Sequence, residues 1–427
     1  MEKIKINPKR LSGEIAIPPS KSLAHRGIIS ASLSKGISVI ENIKFSKDII
    51  STINIMKELG AVIEDTEAKL IIDGSNIFSC DNCLELNCNE SGSTLRFLIP
   101  VTLANEGTYV FRGKGKLVTR PLTPYYEMFK EKRIDYITTD GGLPLKINGK
   151  LFPGTYKLRG DISSQFITGL LFALPLLNGD SEIMVTTELE SIGYVDLTLQ
   201  TLKDFGIYIE NVDYKLFKIK GNQKYFPRDY YIEGDYSQAA FFLVAGALGS
   251  NITCTGLKGD SLQGDKAILD ILKTMGCCIE EAENSIRAIP SKTRGIEIDV
   301  SNCPDLVPIL AVLASLSEGE TRIINAKRLR IKECDRLNAI TVELNKLGAN
   351  ITELEDSLVI KGVSKFTGGQ VDSHNDHRIV MALFIAATRA TDEVVINNPM
   401  AIEKSYPDFF KDYLVLGGDL IEFDSRN

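Results

Sequence analysis

The pattern that most constrains this chain returns about every 70 residues: the end of an amphipathic helix, a glycine, then two short strands around a tight turn. It reads clearly in MKELGAVIEDTEAKLIIDG from Met56, LKDFGIYIENVDYKLFKIKG from Leu202, LKTMGCCIEEAENSIRAIP from Leu272 and LNKLGANITELEDSLVIKG from Leu344. A weaker copy starts at Met128 and a truncated one at Tyr413. Gly60, Gly206, Gly276, Gly348 and Gly417 follow the helical stretches and suit the left-handed position just past a helix end. Such a period is too long for a solenoid repeat; it holds two helices and about four strands, so each unit is a small α/β module. Six modules fill the 427 residues and suggest two lobes of three. The strands, as in KLIIDG and SLVIKG, alternate apolar and polar residues. Apolar helices are expected at 93–104, 165–177 and 237–247.

With a net charge of −7, the chain as a whole repels nucleic acid and anionic membranes, so neither is expected as a partner. The longest apolar stretches, 166–177 and 239–248, fall short of the roughly 18 residues a spanning helix needs. The opening MEKIKINPKR has no signal-like apolar core, and the expected location is cytoplasmic. Cys80, Cys83 and Cys88 lie close together, but no fourth Cys and no His is near them, so no metal site is expected. Neither a phosphate-binding G-x-x-x-x-G-K-[ST] loop nor a dinucleotide G-x-G-x-x-G in strand–helix context is present, and no cofactor is expected.

Several helix starts carry small polar residues and cations. Ile17–Arg26 reads IPPSKSLAHR: the prolines end a strand, Ser20 or a neighbour can cap, and Lys21, Ser22 and Arg26 fall in the first turns. ESGSTLR from Glu90 places Gly92 where a ligand could approach the backbone. DISSQF from Asp161 offers Ser163, Ser164 and Gln165, and SHNDHR from Ser373 offers Asn375 or Asp376 as a cap with Arg378 in the first turn. Arg120, the run RIKECDR from Arg330 and Lys404 lie around them. One such start is explained as well by helix capping. So many in an acidic chain point to a small ligand with several negative charges, phosphate or carboxylate.

PPSKSLAHR, SGSTLR, SSQF, Pro304-Asp305, IKECDRL, NDHR and Lys404 occur in the order seen in EPSP synthases, and from about residue 10 to about residue 412 the chain resembles that family. The resemblance implies a two-lobed, inside-out α/β barrel, three βαβαββ units per lobe, with the active site in the interlobe cleft. One lobe would span 20–233 and the other, discontinuous, 1–19 and 234–427. The implied reaction moves the enolpyruvyl group of phosphoenolpyruvate onto the 5-hydroxyl of shikimate 3-phosphate, in a monomer without cofactor. By motif, the shikimate 3-phosphate site would use Lys21, Ser22, Arg26, Ser163, Ser164, Gln165, Ser191, Tyr194, Asp305 and Lys332. The phosphoenolpyruvate site would use Lys21, Gly92, Arg120, Gln165, Arg336, Arg378 and Lys404. Asp305 would accept a proton, Glu333 donate one, and Lys21 stabilise charge on the reacting oxygens. Glyphosate competes with phosphoenolpyruvate in the family, and open space beside Gly92 is expected to admit it.

Some positions depart from the family pattern. Glu90-Ser91 stands for Asn-Ala, Ser93 and Phe97 for Thr and Pro, Arg328 for an Asn and Leu329 for an aromatic residue. Two alternatives are weaker. UDP-N-acetylglucosamine enolpyruvyl transferase carries a reactive loop cysteine that 107–120 lacks, and a non-catalytic anion-binding protein would be secreted.

Overall fold

A computed structural model describes residues 2–66, 68–79 and 83–423. By contacts the chain forms two compact units, the first Pro19–Ile232 and the second built from Met1–Pro18 and Glu233–Asn427. Each unit has its own apolar core.

Among the described residues there are six four-stranded sheets, and all have the same order. Cys83–Asn87 is representative: it runs parallel to Gly107–Arg112, which is antiparallel to Gly142–Gly149, itself antiparallel to Asp135–Thr139. Along the chain this gives strand, helix, strand, helix, hairpin. The helix pairs of the first unit are α1 (Lys21–Leu33) and α2 (Lys47–Glu58), α3 (Gly92–Thr102) and α4 (Thr123–Lys132), α5 (Ser164–Ala173) and α6 (Ile192–Asp204). Those of the second are α7 (Tyr236–Ala247) and α8 (Ile268–Thr274), α9 (Val307–Ser315) and α10 (Arg336–Lys346), α11 (His377–Ala387) and α12 (Phe409–Val415). The repeat seen in the sequence is therefore the second helix of a module followed by its hairpin, or, after α12, by the single strand Asp419–Phe423.

The five repeat glycines all have positive φ, from +81° to +108°. The weak copy lacks the glycine because Arg133 takes the left-handed C-cap position at φ 57°. Two modules are closed by strands distant in sequence. Asp229–Tyr231 pairs in parallel with Ile37–Glu41, and Ser12–Ala16 with Asn251–Thr255. A third takes Lys3–Asn7 between Val394–Asn397 and Asp419–Phe423.

In each module the first helix is the inner one. Every residue of α7, α9 and α11 is buried, and α1, α3 and α5 are nearly so. The strands have one buried and one exposed face, as Leu70 and Ile72 show between Lys69 and Asp73. Helices thus fill each core and sheets cover it, the reverse of an ordinary α/β barrel. Helix α5 stops at Ala173, short of the expected 177, and passes into a 3-10 turn at Leu174–Leu176. Pro175 supplies no N–H to the carbonyl four residues earlier, which breaks the α-helical hydrogen-bond ladder at that point.

Pro100 lies inside α3 and cannot donate to the carbonyl of Arg96 four residues earlier. The Tyr125 hydroxyl replaces that bond, donating to Arg96 O at 2.6 Å. Gly169 of α5 lies against the same spot: a Cβ there would come 2.5 Å from Arg96 O and 2.5 Å from the Tyr125 hydroxyl. The α3–α5 crossing consequently requires glycine. Gly169→Ala should lower the unfolding free energy by about 1–3 kcal/mol, the scale of overpacking a filled core. Urea unfolding of parent and variant measures this, and an unchanged midpoint would contradict the crossing described.

Candidate active site

Many of the polar residues singled out in the sequence lie at helix N-terminal ends, where free N–H groups and the helix dipole favour anions. In the first unit Ser20 caps α1, accepting from Leu23 N, and Lys21 and Ser22 open the helix. Lys21 Nζ is 2.8 Å from Asp48 Oδ2 on α2. Arg26 is buried and fixed through its Nε to Thr198 Oγ1 (2.9 Å), its Nη1 to Ser22 O (2.7 Å) and its Nη2 to Tyr194 O (2.8 Å). Its guanidinium also lies 5.2 Å from the Phe97 ring centroid. Ser191, buried and left-handed, is the N-cap of α6, with Tyr194 in the first turn.

Ser163 caps α5, accepting from Gln165 N, and Ser164 follows it, buried. Both ends of the Gln165 amide are held: Arg96 Nη1 donates to Oε1 and Nε2 donates to Ser93 Oγ, each at 2.9 Å. Gly92 opens α3, and Arg120 is buried just after the 3-10 turn Gly115–Thr119. The space beside Gly92 is not open as expected. A Cβ there would lie 2.7 Å from Arg120 Nη1, because the guanidinium packs on the glycine.

The second unit gathers its charges around Arg336, the first residue of α10. Its Nη1 donates to Asp305 Oδ1 (2.8 Å), its Nη2 to Glu333 Oε2 (2.8 Å) and its Nε to Asp376 Oδ2 (2.7 Å). Arg378 Nη2 reaches Asp305 Oδ2 at 2.9 Å and Ser237 Oγ at 3.0 Å. Lys332 Nζ is 3.4 Å from Asp305 Oδ1. Burial alone would raise the Asp305 pKa. The charges of Arg378, Lys332 and Arg336 outweigh it and hold this carboxyl well below its ordinary range. Lys332 is lowered, by burial first, with Asp305 opposing. Lys404 ends the 3-10 turn Pro399–Lys404 and donates to Asn375 O at 2.7 Å. Of the two expected caps of α11 it is Asp376 that serves, accepting from Arg378 N at 2.8 Å.

Among the described residues no group of three or more His, Cys, Asp or Glu is placed to hold a metal. Cys80 lies outside the described residues, Cys83 is exposed and Cys88 buried. No described helix is long and apolar enough to cross a membrane.

A family profile described as EPSP synthase (3-phosphoshikimate 1-carboxyvinyltransferase) matches residues 6–413. The chain belongs to the EPSP synthase family. Relatives named 3-phosphoshikimate 1-carboxyvinyltransferase are 57% identical in Clostridium novyi and 54% identical in Clostridioides difficile; each match covers 99% of both chains. An EPSP synthase structure from Acinetobacter baumannii has a TM-score of 0.83 at 24% identity, covering 99% of this chain and 100% of that one. The enolpyruvyl transferase NikO from Streptomyces tendae has 0.81 at 19% identity, covering 98% of each chain. At those identities the two structures speak for the fold alone.

Several partners of the EPSP synthase motif residues were not evident from sequence. Asp48 and Ser237 belong to no motif, and only packing brings them to Lys21 and Arg378. Asp376 could be read as a cap but not as the partner of Arg336. Arg328, at a family asparagine position, donates to Ser301 O at 2.7 Å.

His25 is also buried behind Lys21. Its Nδ1 lies 2.8 Å from Thr52 Oγ1, and Thr52 Oγ1 lies 2.7 Å from Thr94 Oγ1, which ties α1, α2 and α3 together. Burial, then the charges of Lys21 and Arg26, hold its pKa well below the ordinary 6.5. Unfolded chains therefore bind a proton below pH 6.5 that the folded protein refuses, so stability falls as pH drops through that value. Replacing His25 with Asn removes this contribution. Between pH 6 and 5 the unfolding free energy of the parent should fall faster by up to about 1.4 kcal/mol per pH unit. Parallel pH profiles for the two proteins would show that His25 is protonated in the folded state.

Proposed function

We propose that this chain transfers the carboxyvinyl group of phosphoenolpyruvate to the 5-hydroxyl of shikimate 3-phosphate, releasing phosphate. The observation that carries the reading is the pair Asp305 and Glu333, two carboxylates on one buried guanidinium. The chemistry needs three proton transfers. The methylene carbon of phosphoenolpyruvate gains a proton while the hydroxyl oxygen loses one and bonds to the adjacent carbon. That methyl carbon then loses a proton as the carbon–phosphate oxygen bond breaks, which restores the double bond. In this reading Asp305 takes the hydroxyl proton, Glu333 serves the methylene carbon, and Lys21 stabilises charge on the oxygens.

Asp305 with three cations around it is a weak base. Bound phosphate and carboxylate groups compete for Arg336, Arg378 and Lys332, and each cation drawn away raises the basicity of Asp305. Substrate binding thus prepares its own base. In the same reading phosphoenolpyruvate engages Gly92, Arg120, Gln165, Arg336, Arg378 and Lys404 as well as Lys21. Shikimate 3-phosphate engages Ser22, Arg26, Ser163, Ser164, Gln165, Ser191, Tyr194 and Lys332. The substrates repel each other, and this many donors offsets the repulsion.

Phosphate release should require both substrates. Asp305→Asn and Glu333→Gln should each lower kcat by about a hundredfold or more, the usual contribution of a general acid or base, with calorimetric binding of shikimate 3-phosphate retained. Turnover within a few-fold of the parent in either variant would remove that residue from the mechanism.

A methyl group at position 92 must displace Arg120. We therefore expect Gly92→Ala to raise the KM for phosphoenolpyruvate, and to raise the glyphosate inhibition constant by a larger factor because glyphosate is the longer molecule. Inhibition curves at fixed shikimate 3-phosphate measure both. Equal factors would refute the steric argument and leave the reaction assigned.

A further inference from the structure

The turn before α11 places two consecutive non-glycine residues in left-handed geometry, His374 at φ 49° and Asn375 at φ 55°. His and Asn tolerate that region better than most residues, yet two in succession need to be held. The turn carries two functional atoms. The Asn375 carbonyl accepts from Lys404 Nζ at 2.7 Å, and the next residue, Asp376, holds Arg336.

A second side-chain contact, besides Asp376 with Arg336, ties this turn to α10. His374 Nε2 lies 2.7 Å from Glu343 Oε1. The Glu343 side chain is 1% exposed, and it sits two helical turns beyond Arg336 on the same helix face. Its other oxygen accepts from the Asp372 amide at 3.0 Å, and Lys346 Nζ is 2.9 Å from both oxygens. Burial pushes this carboxyl up, but the hydrogen bonds from Lys346, His374 and the Asp372 amide outweigh it and keep the pKa below the ordinary 4.5. The acceptor is therefore charged, and a bond to it is stronger than one between neutral groups.

We infer that His374 is a positioning residue for Lys404: its imidazole, anchored on Glu343, fixes the left-handed turn whose carbonyl sets the Lys404 ammonium. Helix α10 then places two cations at once, Arg336 directly from its first turn and Lys404 through Glu343, His374 and Asn375. The inference rests on the proposed role of Lys404 in binding phosphoenolpyruvate. Because His374 acts through one substrate's ligand, its loss should weaken that substrate and spare the other.

The variant that isolates the contact is His374→Asn. Asn accepts left-handed geometry, so the backbone preference stays, but its side chain is too short to reach Glu343. His374→Gln, which keeps a longer donor, serves as the rescue. In steady-state assays His374→Asn should raise the KM for phosphoenolpyruvate about tenfold, the scale of one charge-assisted hydrogen bond. The kcat should stay within about twofold and the KM for shikimate 3-phosphate should be unchanged. The Gln variant should recover most of the loss. Lys404→Met and the double variant complete a cycle. With Lys404 already removed, His374→Asn should add little.

An unchanged KM for phosphoenolpyruvate in His374→Asn overturns the inference, and so does an equal rise for both substrates or a fully additive double variant. If Lys404→Met alone leaves that KM unchanged, the site assignment of Lys404 has failed, and the inference fails with it. The single Lys404 variant therefore separates the two failures. Should His374→Asn unfold, the Gln variant together with Glu343→Gln, which keeps the buried shape and weakens the acceptor, reads the same KM split.

Discussion

A guanidinium with 2% of its side chain exposed is costly unless every donor is matched, and Arg336 is matched by three carboxylates. Asp376 supplies the completely buried one and at the same time caps α11. Asp305 and Glu333 hold the other two directions. The orientations of α9, α10 and α11 are therefore tied to a single planar cation. Removing one carboxylate would leave a buried positive charge short of a partner, a much larger penalty than losing one surface ion pair.

The repeated module explains why so many charges reach helix starts. A strand that feeds a buried helix delivers its loop to that helix's N-terminal end, and repetition delivers six such loops. The inner helices α7, α9 and α11 of the second unit are apolar on all sides, so their polar content is confined to the ends. There the free N–H groups tolerate a carboxylate cap or an anionic ligand equally well. In the first unit the same layout sets Lys21 beside Asp48 and clamps Gln165 between Arg96 and Ser93.

The repeat was legible because it depends on local chemistry. A left-handed residue past a helix end selects glycine, and a half-buried hairpin selects alternation. Where another residue accepts that geometry, as Arg133 does, the signal weakens although the structure repeats. The site motifs were legible as groups of residue types at helix starts. Their pairings were not, because Lys21 with Asp48 or Arg336 with Asp376 depends on contacts between elements well apart in sequence. The position of Arg120 against Gly92 was hidden for the same reason: a glycine without a Cβ looks like free space until a distant side chain is seen to fill it.

The strand Lys3–Asn7 pairs on both sides with residues from the far end of the chain. On the ribosome the first unit is contiguous and has all its strands once Tyr231 has emerged. The second must leave its earliest strand unpaired until Val394–Asn397 has been made, and paired on one side only until Asp419–Phe423 follows. At roughly 5–20 residues per second that is a wait of tens of seconds for a segment with buried Ile4 and Ile6. The charged residues that alternate with them, Lys3 and Lys5, keep the waiting strand soluble and discourage it from pairing with another nascent chain.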